Sequence, residues 1–139
     1  MFSSLFRKIC RQEVTDVIQE VEKIILQGRE LSQFTVDFIW YLRNLLMLST
    51  DDHMAEMLDV SAENLIRMQE EAAMTDPETL MRYIRVFSEL SGQLRYATQK
   101  RVLVEIALIK LCRPSMEKNY DSLLQRISQI EQKLEQGAV

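Results

Sequence analysis

Helix-breaking residues are scarce in this chain of 139 residues. Three glycines and two prolines occur, at Gly28, Gly92, Gly137, Pro77 and Pro114. Both residue types weaken or end helices, whereas Leu, Ile, Met, Glu, Gln, Lys and Arg, which are abundant here, favour them. No sizeable run alternates apolar and polar residues, which argues against strands. The composition therefore favours long helices.

Cysteine and histidine, two common metal ligands, are equally scarce. Cys10 and Cys112 lie far apart and match no metal-ligand or CxxC spacing. The one histidine, His53, could not form a multi-histidine site, and a polar loop between helices is the simpler interpretation of the acidic residues within 51–56. We therefore predict no metal site. We interpret both cysteines as small buried hydrophobic residues in a reducing compartment.

The motifs of common nucleotide-binding and hydrolytic enzymes are missing as well. The chain contains no GxxxxGK(S/T), GxGxxG, HExxH or GxSxG. Cys10 or Cys112 paired with His53 would be the only candidate thiol nucleophile, and a thiol on an apolar helical stripe is inert. A small-molecule site among the methionines would lack convergent ionisable residues. We expect neither catalytic nor cofactor-binding residues in this chain.

Surplus positive charge and a long apolar run are also absent. The net charge is -4 and the isoelectric point is near 5.1, which argues against general binding to a phosphate backbone. Arg43 interrupts the longest apolar run, residues 38–48, well short of the roughly 18 to 20 residues that span a bilayer. We expect a soluble, cytoplasmic protein with no membrane partner and no direct nucleic-acid contact.

Apolar residues three and four positions apart predict an all-α bundle of five to six helices in one domain, residues 1–139. A short first helix is expected within 1–12, and a last, peripheral helix within 115–136. The last helix could fold back or reach a partner. The expected boundaries are an end at Gly28, starts at Ser32, Ser61 and Asp76 followed by Pro77, a loop over 49–61, and an end before Pro114. The stripe expected on the last helix is Tyr120, Leu123, Ile127, Ile130 and Leu134.

The segment following Ser32 carries the functional inference because it is apolar on nearly all faces. Successive residues of a helix point about 100° apart, so one core cannot take all of residues 38–42. A small bundle with excess apolar helix surface is expected to bind another protein, often a copy or relative of itself. Helical spacing also predicts that most of the methionines lie in the core. The candidate interaction residues here are Phe34, Phe38, Trp40 and Tyr41.

Two blocks of the sequence resemble one known family, and the resemblance extends from about Val14 to Leu111. The segment ILQGRELSQFTVDFIWYLRNLLML resembles the start of the collar domain, the third domain, of the bacterial DNA polymerase III gamma/tau subunit. The segment LSGQLRYATQKRVLVEIALIKLCRP resembles that domain's later helices, although Lys100 stands where the family often has proline. The matching residues of this second block are further candidate interaction residues: Arg95, Tyr96, Arg101 and Glu105.

The resemblance implies an oligomerisation domain and no enzyme. Such domains form a helical collar that holds the pentameric sliding-clamp loader together in DNA replication. It implies gamma/tau copies, delta and delta prime as partners, with homo-oligomers among the assemblies. It also places ATP and zinc only in upstream domains of the parent ATPase subunit. The competing interpretation is a stand-alone helical adaptor for protein–protein interaction. A phosphate-binding loop upstream in the parent gene would distinguish the two.

Overall fold

The computed structural model describes residues 1–115, 127, 129–135 and 137. It confirms the all-α class, and in residues 1–115 it holds one short helix more than the expected five to six. The helices are α1 (Phe2–Cys10), α2 (Val14–Leu26), α3 (Leu31–Thr50), a 3-10 helix (Asp52–Met57), α4 (Ala62–Ala72), α5 (Pro77–Leu94) and α6 (Lys100–Cys112). Within these described residues, no helix is both long and apolar enough to cross a membrane.

Most helix boundaries follow the local capping chemistry. The Ser61 hydroxyl accepts from the Asn64 amide at 3.2 Å, and the Asp76 carboxylate accepts from the Thr79 amide at 2.7 Å, which confirms both predicted starts. Gly28 follows the end of α2 with φ 76°, the left-handed conformation that glycine adopts without a steric penalty.

Two local predictions were wrong. The cap of α3 is Glu30 and not Ser32, because the Glu30 carboxylate accepts from the amides of Ser32 and Gln33, each at 3.1 Å. This places Ser32 inside the first turn. The expected loop over 49–61 also contains a 3-10 helix, since the Asp51 side chain accepts from the His53 amide and starts a turn there.

Helix α3 forms the centre of the bundle, packed against α5, α4 and the 3-10 helix. Arg82 at the start of α5 donates to the carbonyls of Lys110 and Leu111 at the end of α6, at 3.3 Å each. Lys100 and Glu30 join the starts of α6 and α3 at 3.5 Å. Helices α3 and α6 therefore run in the same direction, with α5 antiparallel to both.

Helix α1 closes the bundle through an aromatic cluster. The Phe2 ring lies 5.9 Å from Phe34, 5.7 Å from Phe38 and 5.8 Å from Tyr41, measured between centroids. Phe38 also packs on Phe87 of α5 at 5.1 Å. Each buried ring contributes about 1.5–3 kcal/mol by leaving water, so this cluster couples α1, α3 and α5.

The prediction of burial agrees with the structure for the cysteines but not for most of the methionines. Cys112 is buried and Cys10 partly buried, and burial raises the pKa of each thiol to about 11, so both stay protonated at neutral pH. The expectation that most methionines lie in the core was wrong. Of those in the described residues, Met68 is buried, and the exposed ones include Met57, Met74 and Met81. Helical spacing locates a face but does not say which face meets the core.

The predicted C-terminal stripe is only partly described. Tyr120 and Leu123 lie outside the described residues. Ile127, Ile130 and Leu134 are helical, and their side chains are mostly exposed.

Candidate interaction surfaces

The described residues contain no group of three or more His, Cys, Asp or Glu side chains arranged to hold a metal ion. An open cleft between α1, α3 and α4 is lined in part by Ser3, Tyr41 and Asn64. Two of these polar side chains already donate to another residue, since the hydroxyls of Ser3 and Tyr41 both donate to Glu71. The features described below are surfaces of the bundle.

Glu71 is the central acceptor of a buried polar cluster that contacts α3. Its side chain is 0% exposed and accepts from the hydroxyls of Ser3 and Tyr41 and from Arg7 Nε at 3.3 Å. Burial, together with the hydrogen bond to Glu71, raises the pKa of the Tyr41 phenol, so it stays a donor. The cluster joins α1, α3 and α4 and fixes the rotation of α3 about its axis.

That rotation decides which aromatic residues face outward. Phe34 and Phe38 are buried, and Tyr41 is partly buried with its hydroxyl on Glu71. Trp40, by contrast, is 57% exposed. One core cannot hold every apolar residue of this helix, and Trp40 is the aromatic residue left outside. It lies on the side of α3 opposite Phe38 and Leu42.

Trp40 belongs to an outward stripe on α3, named here the α3 face: Val36, Trp40, Arg43 and Met47. These residues are spaced 4, 3 and 4 apart, so their side chains line one side of the helix. The guanidinium carbon of Arg43 lies 4.9 Å from the centre of the Trp40 ring. This cation–π contact restrains the orientation of the exposed ring. Trp and Arg are also the residue types most enriched where binding energy concentrates.

A second outward stripe lies on α6 and extends to Arg113, the residue that follows the helix. It is named the α6 face: Val102, Ile106, Ile109 and Arg113. Val102 is 47% and Ile106 is 44% exposed, which is high for branched apolar side chains in a folded domain. The predicted residues Arg101 and Glu105 form an ion pair of 2.9 Å along its edge. The predicted residues Arg95 and Tyr96 directly follow α5, in the connection to α6, and both are exposed.

Sequence reasoning missed the apolar centre of the α6 face. Val102 and Ile106 are four residues apart, but the whole helix is so rich in apolar residues that its core side and its outer side look alike. Only packing on α5 and α2 shows that Val104, Leu108 and Leu111 face inward.

Sequence reasoning also missed a third surface, named the acidic edge: Glu56, Met57, Asp59, Glu63 and Ile66, on the 3-10 helix, the following connection and α4. Met57 is 73% and Ile66 is 59% exposed among exposed carboxylates. The signal was present as a run of acidic residues, but such a run more often forms an ordinary solvated surface.

Residues 1–127 match the family described as domain III of DNA polymerase III subunits gamma and tau. The chain belongs to this family. It is 32% identical over 117 residues to the DNA polymerase III subunit gamma/tau of Mycobacterium bovis, covering 83% of this chain and 20% of that protein. It is 22% identical over 137 residues to the DNA polymerase III subunit tau of Bacillus subtilis, covering 94% of this chain and 24% of that protein.

The chain thus spans about a fifth to a quarter of the length of these bacterial relatives. Among solved structures, this domain III resembles the Bacillus subtilis DNA clamp loader delta protein with a TM-score of 0.71 and 18% identity, over 81% of this chain and 35% of that one. At such identity the likeness concerns the fold.

The two sequence blocks that first indicated this family correspond to defined parts of the domain III structure. One covers the end of α2 and nearly all of α3, and the other covers the end of α5 and all of α6. The α3 face and the α6 face therefore both lie within them.

Proposed function

We propose that this domain III is an oligomerisation module that connects subunits of a bacterial sliding-clamp loader. The observation that carries the proposal is the outward turn of Trp40, Val102 and Ile106 in a chain of the gamma/tau domain III family. Large apolar residues clustered on two helices are costly to leave in water, and a neighbouring subunit would cover them.

The α3 face supports this proposal by its composition. It combines a large aromatic ring, a cation held on that ring and two aliphatic side chains, which is the pattern of an interface centre. Phe34 and Phe38 support it from beneath as core residues. The direct contacts fall to Trp40 on the α3 face, to Arg95 and Tyr96, and to Arg101 and Glu105 at the edge of the α6 face.

The partners we propose are further gamma/tau copies, delta and delta prime, each contributing a domain of similar fold. The fold likeness to a clamp-loader delta protein supports this, because related folds present equivalent helices to one another. In this scheme the domain works in the bacterial cytoplasm, contributes connection and no catalysis, and leaves ATP and zinc to other domains of the parent subunit.

The test compares Trp40→Ala with a matched control, Leu26→Ala, which removes an exposed apolar side chain from α2. Light scattering would measure the mass of each chain alone and mixed with the corresponding delta domain. We expect the wild type and Leu26→Ala to assemble. We expect Trp40→Ala to bind at least about 30-fold more weakly, which corresponds to the roughly 2 kcal/mol of an interface-centre residue.

Circular dichroism and thermal melts distinguish a loss of assembly from a loss of folding. Trp40→Ala should retain the helical spectrum, since the indole lies outside the core. A wild-type chain that stays monomeric both alone and with delta and delta prime domains would overturn the proposal. A Trp40→Ala chain that assembles as well as Leu26→Ala would remove the α3 face from it.

A further inference from the structure

Charge is distributed unevenly over this chain, whose net charge is only -4. Residues 95–113 contain five basic residues and one acidic residue, Glu105. Residues 51–76 contain eight acidic residues and one basic residue, Arg67. The first segment includes the α6 face, and the second includes the acidic edge. These counts include side chains away from the surfaces, such as the buried Glu71.

On the surfaces themselves, the acidic edge exposes Glu56, Asp59 and Glu63, whereas the α6 face ends at the exposed Arg113 and has the Arg101–Glu105 ion pair along its edge. The acidic edge is therefore negative and the α6 face carries its unpaired charge at Arg113, which is positive.

Each charged surface also exposes apolar side chains at its centre. Val102 and Ile106 are 47% and 44% exposed among the basic residues, and Met57 and Ile66 are 73% and 59% exposed among the acidic ones. Apolar centres with charged surroundings are the usual composition of a protein interface, where apolar burial supplies affinity and charge supplies orientation.

The two surfaces lie on separate parts of the bundle. Helices α4 and α6 both pack against α1 and α3, but the main contact of α4 is with α3, whereas the main contacts of α6 are with α5 and α2. The outward side chains of both surfaces remain exposed, so neither surface covers the other within one chain. One molecule thus displays both halves of a complementary pair.

We propose that the α6 face of one copy docks on the acidic edge of a second copy, in a head-to-tail contact. This inference rests on the proposed oligomerisation function and names the surfaces that perform it. A contact between two different patches leaves one of each free on the pair, so further copies add until the rotation closes a ring or the assembly extends.

A second copy fits the α6 face better than a nucleic acid does. Phosphate groups would pair with Arg101 and Arg113 but would leave the Val102 and Ile106 side chains in water, and the outward apolar stripe between the charges offers no aromatic ring for a base. The acidic edge offers both complements at once, carboxylates and exposed aliphatic side chains.

The test uses two charge-reversed chains, Arg101→Glu/Arg113→Glu and Glu56→Lys/Glu63→Lys. Sedimentation would measure self-association of each chain alone and of the equimolar mixture, at low and high salt. Each variant alone presents like charge on both surfaces, so we expect its self-association to weaken at least about tenfold relative to wild type. In the mixture, each contact between the two different variants again pairs opposite charges, so the mixture should associate more strongly than either variant alone.

Two controls reverse charge away from both surfaces: Glu22→Lys on α2 and Arg11→Glu after α1. These should associate like wild type, and all variants should keep the helical spectrum. Wild-type association should also weaken as salt rises, because screening reduces the attraction between exposed charges.

Folded reversal variants that associate as wild type would overturn this inference while leaving the oligomerisation function in place. A mixture that stays dissociated, or a wild type that binds delta domains but never itself, would do the same. A wild type that binds neither itself nor any clamp-loader domain would overturn both proposals.

Discussion

Removing the buried carboxylate of Glu71 should destabilise this domain far more than removing its neighbour Glu70. Glu71 lies inside, at 0% exposure, and accepts from Ser3, Arg7 and Tyr41. Glu70 lies outside, where the Arg7 guanidinium donates to it at 3.4 Å. The two positions are adjacent in α4, so helix propensity and the Arg7 partner are shared. They differ in burial and in the two hydroxyl groups, of Ser3 and Tyr41, that donate to Glu71.

The magnitude for Glu71→Ala follows from the groups left behind. Breaking a buried ion pair costs about 3–5 kcal/mol, because the remaining partners stay desolvated. The Arg7 side chain retains some access to water, at 31% exposure, so the lower end applies, about 3 kcal/mol. Glu71→Gln keeps one acceptor and should cost about 1–2 kcal/mol. Glu70→Ala should cost about 0.5 kcal/mol or less.

Urea unfolding followed by circular dichroism would measure these free energies, and thermal melts would give a second reading. For a domain of this size, 3 kcal/mol corresponds to a fall in Tm of roughly 10 °C. The expected order of destabilisation is Glu71→Ala, then Glu71→Gln, then Glu70→Ala. Equal losses at positions 70 and 71, or a Glu71→Ala loss under about 1 kcal/mol, would refute the idea that this cluster ties α1 and α3 to α4.

Two further predictions concern stability. Burial alone would raise the pKa of Glu20, but the hydrogen bond and charge of Lys8, 2.6 Å away, outweigh it and lower that pKa below 4.5. This stabilisation is fully present at pH values above the ordinary pKa of a glutamate and is lost as pH falls through the lowered pKa of Glu20. Lys8→Met should therefore flatten the pH dependence of the free energy of unfolding in urea over about pH 5 to 3. An unchanged pH profile would contradict this. Gly28→Ala should lower the free energy of unfolding by about 1 kcal/mol, because φ is 76° there and a Cβ strains the backbone in that conformation although it clashes with no neighbour. Gly92→Ala, in a helix with open space around the added Cβ, should be neutral or stabilising in the same unfolding assay.

Much of the fold could be predicted because its signals are local. Ser61 and Asp76 each accept from an amide three residues ahead, so the cap is encoded within a few positions. Gly28 ends α2 through its own backbone freedom. The cap at Glu30 was missed because serine is a much commoner N-cap residue than glutamate, and Ser32 is only two positions away. Glu30 caps α3 because its carboxylate accepts from two backbone amides.

The buried polar cluster could not be predicted because its members are distant in sequence. Ser3 lies 68 positions from Glu71, and Tyr41 lies 30 positions from it. From the sequence, a glutamate next to another glutamate on an amphipathic helix is predicted to be exposed to solvent. Glu71 is buried because α1 packs over α4.

The sequence by itself determined that this chain is helical, where several of its helices begin and end, and that it carries more apolar helix surface than one core can bury. Those properties depend on spacing and on contacts within a turn or two. The tertiary structure alone decided that Trp40 faces out while Phe38 faces in, and that the basic α6 face and the acidic edge lie on separate parts of one bundle. These depend on the rotation of each helix against its neighbours, which is set by long-range packing.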